Sequence, residues 1–129
     1  MVKFGYCISY VESVEDTITF FETAFNMKRR FVTDSGDYGE LNTGETILAF
    51  ASHNLGEKNI PQGYIKATAT NQPLGIEIAL VTDDVESTHK NALANRGVEV
   101  KPPMEKPWGQ IVSYVRSPSG LLLELCSPI

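Results

Sequence analysis

Apolar and polar residues alternate along Phe4–Val11 (FGYCISYV), so Tyr6, Ile8 and Tyr10 share one face of a strand and Cys7, Ser9 and Val11 the other. The period then changes. Val14, Ile18, Phe21 and Phe25 recur at spacings of four, three and four, which marks one apolar face of a helix. Ser13 precedes this helix as an N-cap, with Asp16 three residues later, and Glu15 and Asp16 suit the positive end of its dipole. The helix is predicted to stop near Asn26, with Met27 to Val32 leading into a strand. Asp34-Ser35-Gly36-Asp37 and Thr43-Gly44-Glu45 read as turns around a short strand over Tyr38–Asn42, and Thr46–Ala51 (TILAFA) reads as another strand. The first half is thus strand, helix, strand, strand, strand.

Residues 52–73 break this pattern. Their Gly, Asn, Pro and Lys content and weak periodicity predict a loop. Tyr64 and Ile65 are its one bulky pair, so the segment is either a lid or a plain crossover between two halves. The pattern then restarts. Leu74–Val81 (LGIEIALV) is a strand, Thr82-Asp83-Asp84 a helix start, and Val85, His89, Leu93 and Arg96 one helix stripe, with Gly97 as its C-cap. Val98–Val100 is a strand, and Lys101–Pro107, with three prolines, a loop unable to join a central ladder. Trp108–Leu125 closes the chain as a hairpin, its arms IVSYV and LLLEL joined by Ser117-Pro118-Ser119-Gly120.

The halves superpose as a repeat. A shift of 71 residues carries Tyr6 to Glu77, Ile8 to Ala79, Val14 to Val85 and Asn26 to Gly97; a shift of 76 carries Gly44 to Gly120 and Leu48 to Glu124. The chain is therefore expected to be a single α+β domain, residues 1–129, of tandem βαβββ modules (about 1–55 and 73–129) joined by a loop. Two such units lying edge to edge, with helices on their outer faces, would form a curved mixed sheet with a central cleft onto which Tyr6, Leu48, Glu77 and Glu124 converge.

Composition narrows the function classes. The net charge of −5 argues against a nucleic-acid partner, which needs a basic patch. No apolar run approaches bilayer length, so no membrane association is expected, and the N-terminal residues carry no secretory-signal pattern, which favours the cytoplasm. Cys7 and Cys126 are expected as buried, reduced thiols, and no Cys/His cluster of structural-zinc type is present.

Glu77 alternates with Ile76 and Ile78, and Glu124 with Leu123 and Leu125, so both acids lie opposite an apolar face. Three readings remain open: a weak metal site, an acidic pair gripping a cationic or hydrogen-bonding ligand, or, with a one-residue slip, outward-facing carboxylates. Converging acids repel, and one of them should titrate high. Phe50 shares the predicted face of Leu48, and Trp108 is either an aromatic wall of the cleft or a loop residue. His89 falls on the helix stripe and reads as structural, and His53 as a surface residue.

With ISYVESVEDTITFFETAFNM, GIEIALVTDDV, ALANRGV and PWGQIVSYVRSPSGLLLEL in view, nearly the whole chain resembles the vicinal oxygen chelate superfamily. That group includes glyoxalase I, extradiol dioxygenases, fosfomycin-resistance enzymes and bleomycin-resistance proteins. Ser117 stands where the family's turn commonly has aspartate. The resemblance implies one inward ligand position on each of four central strands, here Tyr6, Leu48, Glu77 and Glu124. Only Glu77 and Glu124 are ready ligands for a divalent ion (Ni, Zn, Mn, Mg or Fe). It also implies a homodimer. The expected function is small-molecule binding: an aromatic or cationic ligand in a cleft lined by Tyr6, Leu48, Phe50, Glu77, Trp108 and Glu124. The alternative is a metal-dependent lyase of the lactoylglutathione lyase type, or a dioxygenase-like enzyme, with Glu124 catalytic. A protein acting only through its interfaces is the third reading.

Overall fold

The computed structural model describes residues 1–129. The chain runs β1 (Tyr6–Val11), α1 (Val14–Phe25), β2 (Arg29–Val32), β3 (Tyr38–Leu41), β4 (Ile47–Ser52), α2 (His53–Asn59), β5 (Ile78–Val81), α3 (Val85–Ala94), β6 (Val98–Glu105), β7 (Ile111–Arg116) and β8 (Leu122–Cys126). The repeat is complete: each module is βαβββ, with strand orders β1-β4-β3-β2 and β5-β8-β7-β6. In each, the first strand pairs parallel with the last and the remaining pairs are antiparallel.

Local chemistry sets the helix ends. Ser13 Oγ accepts from the Asp16 amide at 3.1 Å, and Asn26 closes α1 in the left-handed conformation. Asp84 caps α3 through Ser87 N at 3.0 Å. The positive φ after α3 falls on Arg96 rather than Gly97. Gly97 is needed for a different reason: a Cβ there would lie 2.7 Å from the Ala92 carbonyl.

Three elements depart from expectation. β5 is confined to Ile78–Val81, so Leu74–Glu77 of the predicted strand lie outside it. Residues 53–59 form α2 inside the predicted loop, capped by Ser52 and packed on β1 and β4. Its sequence, HNLGEKN, has no apolar stripe, so tertiary contacts create it. β6 runs through Pro102 and Pro103 to Glu105. It tolerates them because it is the outer strand of its sheet and its register against β7 shifts there.

The two sheets are not hydrogen-bonded to each other. The modules join through their helices instead. α1 packs on α3, and Asn91 Nδ2 donates to the carbonyls of Thr23 (3.1 Å) and Ala24 (2.8 Å) at the end of α1. Val14, Ile18 and Phe21 of the first module share one apolar cluster with Val85, Ala92, Val115 and Leu123 of the second. Each sheet therefore turns one face to this common core and leaves the other open. Within one chain the modules are thus joined by helix packing and not by pairing of β1 with β5.

Candidate functional site

Strand register decides which side chains reach an open face. Parallel partners point the same way, and Tyr6, Ile8 and Tyr10 pair with Ile47, Ala49 and Ala51. Leu48 and Phe50 pair with Cys7 and Ser9 and point to the helix side. Phe50 is fully buried, its ring 5.2 Å from that of Phe21 on α1, and Leu48 belongs to the same cluster. Leu48 and Phe50 thus line the core, which corrects their predicted cleft placement. The physical reason is one residue in a turn. Ala49 is the fifth residue after Gly44, whereas Glu124 is the fourth after Gly120. Aligning the turn glycines therefore slips β4 by one position and reverses its faces. Ile8 pairs with Ala49 as Ala79 pairs with Glu124, so the counterpart of Glu124 is Ala49.

The C-terminal sheet does bring Glu77 and Glu124 together. Glu124 lies on β8, next to Ala79 of β5 and Tyr114 of β7. Glu77 lies just before β5, on the Ala79 side by alternation. Tyr114 Oη donates to Glu124 Oε1 at 3.1 Å. Partial desolvation, then the adjacent Glu124 charge and hydrogen bonding to it, push the Glu77 carboxyl above the usual carboxylate range. Desolvation and hydrogen bonding to Glu124 likewise raise the Tyr114 phenol and the Cys126 thiol, keeping both protonated. Glu124 is thus ringed by groups whose proton is held more tightly than usual. No basic side chain forms an ion pair with Glu77 or Glu124.

The N-terminal sheet carries its own acid, one that strand patterning alone does not single out. Glu40 on β3, opposite Ala49, is nearly buried on the open face. Tyr38 Oη donates to Glu40 Oε2 at 2.7 Å, and Arg30 Nε stands 3.6 Å from Oε1. Burial, then Glu40, raises the Tyr38 phenol far above its ordinary value, with Tyr6 adding to the effect. Tyr6 itself is 57% exposed above this pair. The available signal was the spacing of Tyr38 and Glu40, two residues apart and hence on one strand face.

The other candidates fall outside this arrangement. Trp108, 66% exposed, sits in the β6–β7 connection and donates its indole N–H to Gln110 Oε1 at 2.9 Å. His89 is structural as expected: its Nδ1 is 2.8 Å from Ser113 Oγ and its Nε2 2.8 Å from Glu99 Oε2. His53 is no free surface residue, since its Nδ1 is 2.7 Å from Tyr64 Oη. Arg116 clamps the inter-module segment, donating to the carbonyls of Asn71 (2.6 Å), Thr68 (2.8 Å) and Gly120 (2.9 Å).

The donor set does not fit a firmly held divalent metal. Glu77 and Glu124 supply oxygen ligands, but the position corresponding to Glu124 in the other module is an alanine and that corresponding to Glu77 a tyrosine. No group of three or more His, Cys, Asp or Glu side chains is arranged to hold a metal ion.

The sequence profile of the Glyoxalase/Bleomycin resistance protein/Dioxygenase superfamily matches residues 3–125, and the chain belongs to that superfamily. No curated protein matches it by sequence. Among solved structures it resembles a glyoxalase-related enzyme from Fulvimarina pelagi (TM-score 0.84, 14% identity, covering 99% of this chain and 89% of that one). It also resembles a glyoxalase/bleomycin resistance protein/dioxygenase family enzyme from Burkholderia phytofirmans PsJN (0.81, 14%, 99% and 100%). A third match is a protein of unknown function from Agrobacterium tumefaciens C58 (0.79, 18%, 100% and 96%). At these identities the likeness establishes the fold.

Proposed function

We propose that this protein binds a small molecule bearing a cationic or hydrogen-bond-donating group, such as an amine attached to an aromatic ring, at the open face centred on Glu124. The observation that carries the reading is the uncompensated acid pair: Glu77 beside Glu124, with Tyr114 donating to Glu124 and no basic partner. An ammonium or guanidinium would supply the missing charge and be held by charge-assisted hydrogen bonds. Binding would favour the ionised form of Glu77 and so lower its pKa.

A second copy of the chain would close the site. β1 and β5 are the free edges of their sheets, and Phe4, Tyr6, Ile8, Ile76 and Val81 are exposed beside them. This supports a homodimer in which the N-terminal open face of one chain covers the C-terminal open face of another. Two free thiols are compatible with the reducing cytoplasm.

The test is calorimetry on chelator-stripped protein, titrated first with benzylamine and then with Ni²⁺, Mn²⁺ and Zn²⁺, in wild type and in Glu77→Gln/Glu124→Gln. Saturable benzylamine binding lost in the double variant supports the proposal. Tight one-to-one metal binding lost in that variant overturns it in favour of a metal-dependent lyase, and absence of both overturns it outright.

A further inference from the structure

The inter-module segment, residues 60–76, covers a cavity of about 190 Å³ that the acid pair does not use. Ile8, Tyr10, Tyr64, Leu74, Leu121 and Leu122 are among its walls, with Cys7 at its inner side, and no Asp, Glu, Lys, Arg or His lines it. From this cavity we infer a second ligand site, one for a neutral, planar, apolar molecule of one or two rings.

Volume sets the size of that molecule. An apolar protein cavity of about 150 Å³ stays dry and takes up benzene, so this space accommodates a ring somewhat larger than that. The absence of charged lining excludes an ionised ligand, because an unpaired buried charge is strongly disfavoured. The aromatic surface of Tyr10 and Tyr64, whose centroids are 5.0 Å apart, favours a flat one.

The covering segment is fastened at two points and is free of regular structure between them. At one end, Tyr64 follows Gly63 in its positive-φ turn, lies against Tyr10 and bonds to His53. α2 holds this end in place, and its Gly56 leaves the gap Tyr64 occupies: a Cβ there would collide with the Tyr64 hydroxyl and the Tyr10 ring. At the other end, Arg116 holds Thr68 and Asn71, and Gly120, at φ 93°, lets the Thr68 backbone approach so closely that any side chain would strike it. Between these fastenings Ile65 is 78% exposed, at the edge of the cavity. The His53–Tyr64 bond therefore acts as the latch of the covering segment.

The experiment is a ¹⁵N-labelled NMR titration of the full chain with indole. The expected result is saturable shifts at the amides of Tyr64, Ile65, Leu74 and Leu121, retained in Glu77→Gln/Glu124→Gln. Tyr64→Ala, which removes the latch and one wall, should weaken indole binding at least tenfold; Ala67→Phe, which fills the space, should abolish it while the rest of the spectrum stays dispersed. Should Ala67→Phe fail to fold, Tyr64→Ala decides alone. No shifts in wild type, shifts confined to Glu77, Tyr114 and Glu124, or equal affinity in Tyr64→Ala would each overturn the inference. Because the acid-pair variant is part of the series, loss of the acid-pair reading leaves this result legible.

Discussion

In the N-terminal module the helix meets its sheet through aromatic rings, Phe21 on Phe50, with Phe20 and Phe25 at 5.6 and 5.7 Å from Phe21. In the C-terminal module the corresponding contact is polar: His89 bonded to Ser113 and Glu99. The open faces differ in the opposite sense. Glu40 in the N-terminal sheet is answered by Arg30, whereas Glu77 and Glu124 in the C-terminal sheet have no cation. One βαβββ plan thus serves two ends. The first copy supplies most of the apolar core, and the second keeps an acid pair with no basic partner.

The largest effect should come from the core of the first module. Leu48→Glu is expected to yield no folded protein, since it places an unpaired carboxylate at a core position. If it folds and gains metal affinity, the side chain of residue 48 points to the open face and the register of β1 on β4 is wrong. Phe21→Ala should cost about 3–5 kcal/mol in denaturant unfolding. The half-exposed Leu93→Ala on α3 should cost less than about 1 kcal/mol. Equal costs would abolish the contrast between modules.

His89→Leu removes the polar partner of the buried Ser113 hydroxyl and should cost about 1–3 kcal/mol. Adding Ser113→Ala should recover part of that loss; strict additivity would show that the two residues do not act as a pair.

Two pH effects sharpen the contrast further. Desolvation, then Lys66, depresses the His53 pKa below 6.5, so the folded state binds a proton less readily than the unfolded one. Its contribution is present above about pH 6.5 and is lost as pH falls through the folded-state value. His53→Leu should flatten stability against pH in that acid window, as read by thermal unfolding. Glu77 has the opposite sign. Its raised pKa makes ionisation unfavourable in the folded state, a cost present at pH 7 and absent below the ordinary value of 4.5. Glu77→Gln should therefore raise Tm at pH 7 by about 1 °C, small because the side chain is exposed, with no gain near pH 4.

Much of this was written in the chain. Alternation in Phe4–Val11, the four-three-four spacing from Val14, the Ser13 and Asp84 caps and the faint repeat set element order and the tandem βαβββ plan, because these are local preferences that packing reinforces. The proximity of Glu77 to Glu124 was also legible, since both alternate against apolar neighbours, Glu124 on β8 and Glu77 just ahead of β5. Other features were decided only in three dimensions. One extra residue after Gly44 chose the face of Leu48, Phe50 and Ala49 and left Glu40 as the acid of the first sheet. The packing of α1 on α3 joined the modules through their helices rather than through paired strands. Gly56, Tyr64 and Arg116 became a fastened cover only once the segment between the modules had folded onto β1 and the Gly120 turn. Local sequence sets period and caps over a few residues, whereas register and inter-module contact depend on which apolar surfaces meet, and no short window of the chain encodes that.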